Sequence, residues 1–173
     1  MGTIEAILCL KRLSRDTDAE ALQRILEAAP TYSMRISGAL PLSTDAEAVF
    51  VALPPGVEFA NKFVFGIYLK DKLIGFIDLI RGYPDARVAM LGLLILSEKF
   101  QAQGLGRRAY RLIEDVVRGW DGMSTIRIGV VESNAQVRSF WERCGFVSTG
   151  VSKPYENGNI RSQTIVLEKS LYP

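Results

Sequence analysis

The octapeptide Gln101-Ala102-Gln103-Gly104-Leu105-Gly106-Arg107-Arg108 stands where an apolar, strand-like run ends and an amphipathic, helix-like run begins. The first turn of a helix leaves backbone N–H groups without acceptors and carries a partial positive charge. Glycines let that backbone approach an anion closely. Gln103, Arg107 and Arg108 add donors and positive charge. The pattern therefore suits a phosphate or pyrophosphate. A plain helix entry, with glycines used only for turn geometry, accounts for the glycines as well, and on this segment alone both readings stand.

What is missing narrows the chemistry further. The 173 residues contain no histidine. Ser-His-Asp and Cys-His nucleophilic catalysis, histidine-zinc signatures and the usual neutral-pH proton shuttle are thereby excluded. Any reaction must use carboxylates, tyrosines, hydroxyls, backbone amides or water. The 21 basic and 19 acidic residues nearly balance, and no basic tail points to nucleic acid. No apolar run reaches membrane-spanning length, and MGTIEAILCLKRLSRD lacks a signal-peptide layout. Cys9 and Cys144 have no metal-ligand spacing, so a reducing, cytoplasmic setting is expected.

The elements that must position these groups read as one domain over residues 1–173. Residues 4–13 form a first strand. Thr17 and Glu20 have capping-box spacing, Leu22, Ile25, Leu26 and Ala29 make a helical stripe, and Pro30 is read as its stop. Thr44 and Glu47 open a second, short helix. Phe63, Phe65, Ile67 and Leu69 alternate as in a strand, Asp71-Lys72 turns the chain, and KLIGFIDLI returns as another. VAMLGLLIL, residues 88–96, reads as a central strand buried on both faces. Residues 106–118 give the clearest helix, with Ala109, Leu112, Ile113, Val116 and Val117 on one side and Gly119 as its stop. TIRIGVV is a strand. Ser133 and Gln136 have capping-box spacing before a helix that carries Val137, Phe140, Trp141 and Cys144. Two last strands flank the Asn157-Gly158 turn. The fold class is α/β (α+β), with a mixed, mostly antiparallel sheet of six or seven strands and about four helices.

Gly104, Gly106 and Ala109 also match the dinucleotide-binding G-x-G-x-x-A, with Glu132 downstream at a distance suited to a ribose. That motif should follow its strand directly, however, and here SEKFQAQ intervenes. No Lys-Ser or Lys-Thr follows, so the segment is not a P-loop. Gln101 to Gly106 instead resembles the Q-x-x-G-x-G pattern of the GNAT superfamily of acetyl-CoA-dependent N-acetyltransferases. Asn134, Phe140, Trp141, Gly145 and Phe146 resemble that superfamily's asparagine-to-glycine-phenylalanine segment.

The resemblance implies that the amides of Gln101, Ala102, Gln103, Gly104, Leu105, Gly106 and Arg107 hold the coenzyme A pyrophosphate. It implies that the central strand splays from its neighbour to admit the pantetheine arm. Leu94, Ile95 or Leu96 would then polarise the thioester carbonyl. Asn134 would contact pantetheine or the leaving sulfur, although asparagine also caps helices. Trp141 stands where many relatives carry a proton-donating tyrosine. Indole has no such proton, so Trp141 is expected to pack at the cofactor site, and the thiolate leaves unprotonated or is served by water.

An ammonium acceptor must also lose a proton before it attacks. Asp78, set among Ile74, Phe76 and Ile80, is the first candidate base. Glu132 is the second. Each reads equally as a structural acid paired with an arginine such as Arg81 or Arg127. Tyr32, Tyr83 and Asp85 are further candidates for substrate contact. The expected activity is acetyl transfer from acetyl-CoA to a primary amine, on a small molecule or a protein, in a ternary complex. Neither nucleic acid nor a membrane is an expected partner, and a homodimer is allowed. A non-catalytic acyl-CoA sensor on the same fold is the alternative.

Overall fold

The computed structural model describes residues 7–173. Seven strands form one sheet in the order β1-β2-β3-β4-β5-β7-β6. They are β1 (Leu8–Arg12), β2 (Lys62–Leu69), β3 (Lys72–Arg81), β4 (Val88–Leu96), β5 (Thr125–Val131), β6 (Val147–Asn157) and β7 (Ile160–Ser170). Every neighbouring pair is antiparallel except β4–β5. The expected mixed, mostly antiparallel sheet is therefore present. Residues 4–6 of the expected first strand lie outside the described residues. The β2–β3 turn is Lys70-Asp71, one residue earlier than read, with Lys70 left-handed at φ 54°.

Five α-helices occur among the described residues, against about four expected: α1 (Arg15–Glu27), α2 (Pro30–Ser37), α3 (Asp45–Val51), α4 (Leu105–Arg118) and α5 (Arg138–Arg143). The extra one is α2. Pro30 does not stop α1, which ends at Glu27. It opens the next helix, where its missing N–H costs nothing. α1 begins at Arg15, before the expected Thr17–Glu20 box, and the Asp18 carboxylate accepts the Ser14 N–H (2.8 Å). Ser133–Gln136 spacing produces a 3-10 turn over Glu132–Val137 rather than a capped α-helix. No helix among the described residues is long and apolar enough to cross a membrane.

The two faces of the sheet bury separate cores. α4 and α5 cover one face, with Tyr110, Ile113, Val117, Trp141 and Phe146 packed on Ile77, Leu79, Ile126 and Leu167. α1 and α3 cover the other, with Leu22, Leu26 and Phe50 packed around Val64, Phe76 and Ile95.

β4 is irregular. Asp78 pairs with Leu93 but Leu79 pairs with Leu91, so Gly92 is an extra residue in the β3–β4 ladder. Ala89 and Leu91 face α4, and beyond the bulge so do Leu94 and Leu96. One inserted residue accounts for that change of phase. β4 and β5 are paired only through Val88↔Thr125, Ala89↔Ile126 and Met90↔Arg127. Beyond Met90 the strands part, as the resemblance implied. β4 is consequently not buried throughout: Gly92 is exposed and Leu93 and Leu94 are half-buried.

Candidate active site

The gap between β4 and β5 is a cleft of about 520 Å³. α4 and α5 wall it on one face and α2 on the other. A second depression of about 730 Å³ is lined mostly by polar and charged residues, such as Arg15 and Glu20 of α1 and Glu47 of α3.

The α4 side begins with the glycine segment. Gln101 donates Nε2–H to Leu96 O (2.8 Å), and Gln103 donates to Lys99 O (2.7 Å). Gln101 thus ties the loop to the end of β4, and Gln103 ties it to the 3-10 turn (Glu98–Phe100) that follows β4. Ala102 (φ 57°) and Gly104 (φ 77°) are left-handed. Gly104 is the N-cap of α4, and a Cβ added there would meet nothing within 4 Å. The N–H groups of Leu105, Gly106 and Arg107 have no intrahelical acceptor, and the first turn carries no acidic residue. These amides, the open space at Gly104 and the guanidinium groups of Arg107 and Arg143 at the cleft fit an anion such as a pyrophosphate.

Of the residues expected to hold the cofactor, Leu94, Ile95, Leu96, Gln101, Ala102, Gly104, Gly106, Arg107, Asn134 and Trp141 line the cleft. Gln103 and Leu105 do not. Gln103 is exposed and Leu105 packs in the core under α4. Asn134 is only 9% exposed and sits in the 3-10 turn that follows β5. In one orientation Gln136 donates to Asn134 Oδ1 (2.6 Å). In the other its carbonyl oxygen accepts from Arg35 Nε (2.7 Å) and Nη1, which the guanidinium, a pure donor, favours. Trp141 packs edge-on against Tyr110, Phe140 and Phe146, with centroids 5.8, 4.9 and 5.4 Å away. Its arrangement is that of a packing residue with one face on the cleft.

On the opposite side, α2 contributes Thr31, Tyr32, Arg35 and Ile36. Eight residues are too few for a helix to be stable alone, and α2 is held by its surroundings. Glu98 accepts the Thr31 N–H (2.9 Å), and the Thr31 side chain together with that N–H holds the carboxyl below its ordinary range. At the other end, the four carbonyls that the helix leaves open are all satisfied. Gly38 N–H bonds Met34 O (3.0 Å), Ser133 Oγ–H bonds Arg35 O (2.7 Å), Tyr155 O–H bonds Ile36 O (2.9 Å) and Asn159 N–H bonds Ser37 O (3.0 Å). Burial raises the Tyr32 phenol well above its ordinary value, with Tyr155 adding to it, so Tyr32 stays protonated at neutral pH.

The two candidate bases lie just off the cleft lining. Asp78 pairs with Lys62 Nζ at 2.8 Å, not with Arg81 or Arg127, and the two side chains are only 14% and 4% exposed. Burial raises the Asp78 pKa, against the opposing hydrogen bond and charge of Lys62. Gly92 lines the cleft, and its absent side chain leaves Asp78 Oδ2 3.4 Å from where a Cβ would stand. Glu132 opens the 3-10 turn, between Val131 and Asn134 of the lining. Arg127 pairs with Glu168 (2.5 Å). Tyr83 and Asp85 lie in the β3–β4 loop away from the cleft, where Asp85 accepts the Arg87 N–H (2.9 Å).

Sequence reasoning missed α2 and the bulge. Both had signals. PTYSMRISG has proline first and glycine last, and Gly38 is indeed left-handed at φ 74°. Gly92 is the lone glycine in an otherwise apolar strand.

Comparison with known proteins agrees with this geometry. The sequence model described as the acetyltransferase (GNAT) family matches residues 23–146. An acetyltransferase from Thermus thermophilus is 26% identical, with a TM-score of 0.70 over 94% of this chain and 96% of its own. Spermidine N-acetyltransferase from Vibrio cholerae, solved with CoA and spermine, has a TM-score of 0.72 at 17% identity over 95% of each chain. The ribosomal-protein-S18-alanine N-acetyltransferase of Escherichia coli has a TM-score of 0.66 at 18% identity over 96% of each. No curated protein sequence matches the chain.

Proposed function

Because the chain belongs to the acetyltransferase (GNAT) family, we propose that it moves an acetyl group from acetyl-CoA to a primary amine by direct attack in a ternary complex. The observation that carries this reading is the cleft between β4 and β5, open to an anion-binding helix start on one face and to a polar helix on the other. Two substrates entering from opposite faces would meet inside the sheet.

Acetyl-CoA supplies an acetyl thioester, whose carbonyl the free amine attacks; the C–N bond forms, the C–S bond breaks, and CoA leaves as a thiolate that takes its proton from water. The amides at the start of α4, with Arg107, hold the pyrophosphate. Beyond Met90, one edge of β4 has no strand partner, so alternate N–H and C=O groups along residues 91–96 point into the cleft. An N–H among Leu94, Ile95 and Leu96 donates to the thioester carbonyl as it gains negative charge. Asn134 bonds the pantetheine arm. Asp78 receives the ammonium proton through water admitted at Gly92, and Glu132 is the second candidate for that task. Burial raises the thiol pKa of Cys144 and keeps it un-ionised, which disfavours a covalent acetyl-cysteine route. A cytoplasmic setting, with both cysteines reduced, belongs to the same reading.

The test is release of CoA thiol from acetyl-CoA in the presence of a panel of primary amines. Calorimetry of acetyl-CoA is run alongside. Thiol release that depends on an amine supports the transferase. Tight acetyl-CoA binding with no turnover on any amine would favour the rival reading of an acyl-CoA sensor, to which the lack of a carboxylate in the cleft lining, among the described residues, lends weight.

A further inference from the structure

The charges at the cleft are one-sided. Arg35, Arg107 and Arg143 are its ionic lining residues, and no Asp or Glu joins them among the described residues. Arg107 and Arg143 belong to α4 and α5, on the face given to the CoA phosphates. Arg35 belongs to α2, on the face left for the acceptor, and it has no phosphate to serve there. The nearest acids are already engaged. Asp78 is neutralised by Lys62. Glu98, outside the lining, spends its carboxylate on the Thr31 amide, although it also feels the Arg35 charge. The protein acceptor on the Arg35 Nε–H (2.7 Å) and Nη1–H is the neutral Gln136 amide oxygen, which leaves the Nη2 side of the guanidinium for a ligand. Arg35 is exposed, and its carbonyl is fixed by Ser133. A guanidinium held at the mouth of a cleft without a carboxylate partner in that lining is suited to a carboxylate brought by the ligand.

We propose that the acceptor is a small primary amine that also carries a carboxylate, and that Arg35 receives the carboxylate while the amine points to the gap between β4 and β5. The proposal rests on the acetyl-transfer reading and specifies its second substrate. A polyamine would bring further positive charge to a face whose lining charge is already a guanidinium, with no lining carboxylate to receive it.

The experiment uses matched trios: an amino acid, its carboxamide and the amine left when the carboxylate is removed. Each is assayed for thiol release and titrated calorimetrically into the protein with and without saturating CoA. The acid is expected to be preferred by roughly 10- to 100-fold in kcat/KM, the scale of a hydrogen bond to a charged group. Arg35→Gln should raise KM for the acid by a similar factor. It should leave use of the carboxamide and acetyl-CoA affinity unchanged, with only the small drop in melting temperature that loss of the Gln136 bonds brings, and Arg35→Lys should restore part of the KM loss. Equal use or binding of all three members would overturn the proposal, as would an Arg35→Gln loss shared equally by all three. So would acetyl-CoA binding without binding or acetylation of any acid. If acetyl-CoA itself does not bind, the acetyl-transfer reading falls instead. The titrations into CoA-free protein still decide whether carboxylates are preferred.

Discussion

The two walls of the cleft are built by different means. The α4 wall is nearly self-sufficient. Its glycines, glutamines and arginine lie within seven residues, and its loop is tied down by its own side chains, Gln101 to Leu96 O and Gln103 to Lys99 O. The α2 wall is a short helix whose ends are closed by Glu98, Ser133, Tyr155 and Asn159, residues scattered from position 98 to position 159. A wall coded locally can keep one ligand while the rest of the protein changes. A wall coded by distant caps can change its ligand through substitutions far away in sequence. If each wall holds its own ligand, as proposed, the two ligands are served by separable parts.

Substitutions should therefore affect one ligand and spare the other. The largest effect is expected at Asp78, which lies behind the shared middle. Asp78→Asn leaves Lys62 buried without a counter-charge, at a cost of about 3–5 kcal/mol of stability, and should lower turnover by roughly 10²-fold or more. Adding Lys62→Met should recover most of the melting temperature but not the turnover. The turnover deficit should shrink as pH approaches the amine pKa of about 10.4, where the acceptor is already deprotonated. Turnover that recovers together with the melting temperature would make Asp78 purely structural and pass the role to Glu132 or to water.

Next comes Trp141, in the aromatic cluster under α5. Trp141→Ala should cost about 3–5 kcal/mol in a denaturant melt, whereas Trp141→Phe should leave turnover within a few-fold. A large loss in a folded Phe variant would give the indole a chemical role. Gly104→Val comes third. A β-branched residue at φ 77° is strained and would occupy the open space above the α4 amides. Acetyl-CoA affinity should fall about tenfold or more, while acceptor binding stays unchanged. A parallel loss of acceptor binding would break the separation of the walls.

The smallest effect is expected at Glu98, the cap of α2. Its pKa is lowered in the fold, chiefly by the Thr31 side chain and N–H, so its contribution to stability is present above the unfolded carboxylate pKa. It is lost as pH falls through the lower folded value. The melting temperature of Glu98→Gln should therefore fall less between neutral and acid pH than that of the unsubstituted protein. At neutral pH the variant should raise acceptor KM modestly without touching acetyl-CoA affinity.

Legibility in the sequence follows the same division. Residues 88–96 and 125–131 are readable to the residue as strands, because an apolar run bounded by turn formers carries its own punctuation. The α4 segment is readable because its function needs left-handed backbone and free amides at fixed spacing. α2 is missed although Pro30 and Gly38 frame it, since that proline reads as the ending of α1 and its remaining caps, Glu98, Ser133, Tyr155 and Asn159, lie far along the chain. The bulge at Gly92 escapes because a single inserted residue leaves the apolar character of VAMLGLLIL intact while changing which side chains face α4. The Lys62–Asp78 pair joins opposite strands of a hairpin, and only the register brings them together.

The short β4–β5 ladder has a consequence for amide exchange. Fourth in a sheet of seven, β4 ought to be among the slowest strands to exchange. Past Met90, however, its cleft-side amides have no partner across the gap. They are edge amides in the middle of a sheet, shielded by the helices that wall the cleft and by whatever fills the gap. Protection along Val88–Met90 should therefore reflect opening of the whole domain. Protection along residues 91–96 should alternate, with the cleft-facing amides becoming slow only when ligand is bound. The same exposed edge invites pairing by a stray strand, so loosening α2 should make the free protein more prone to associate, and saturating ligand should reverse it.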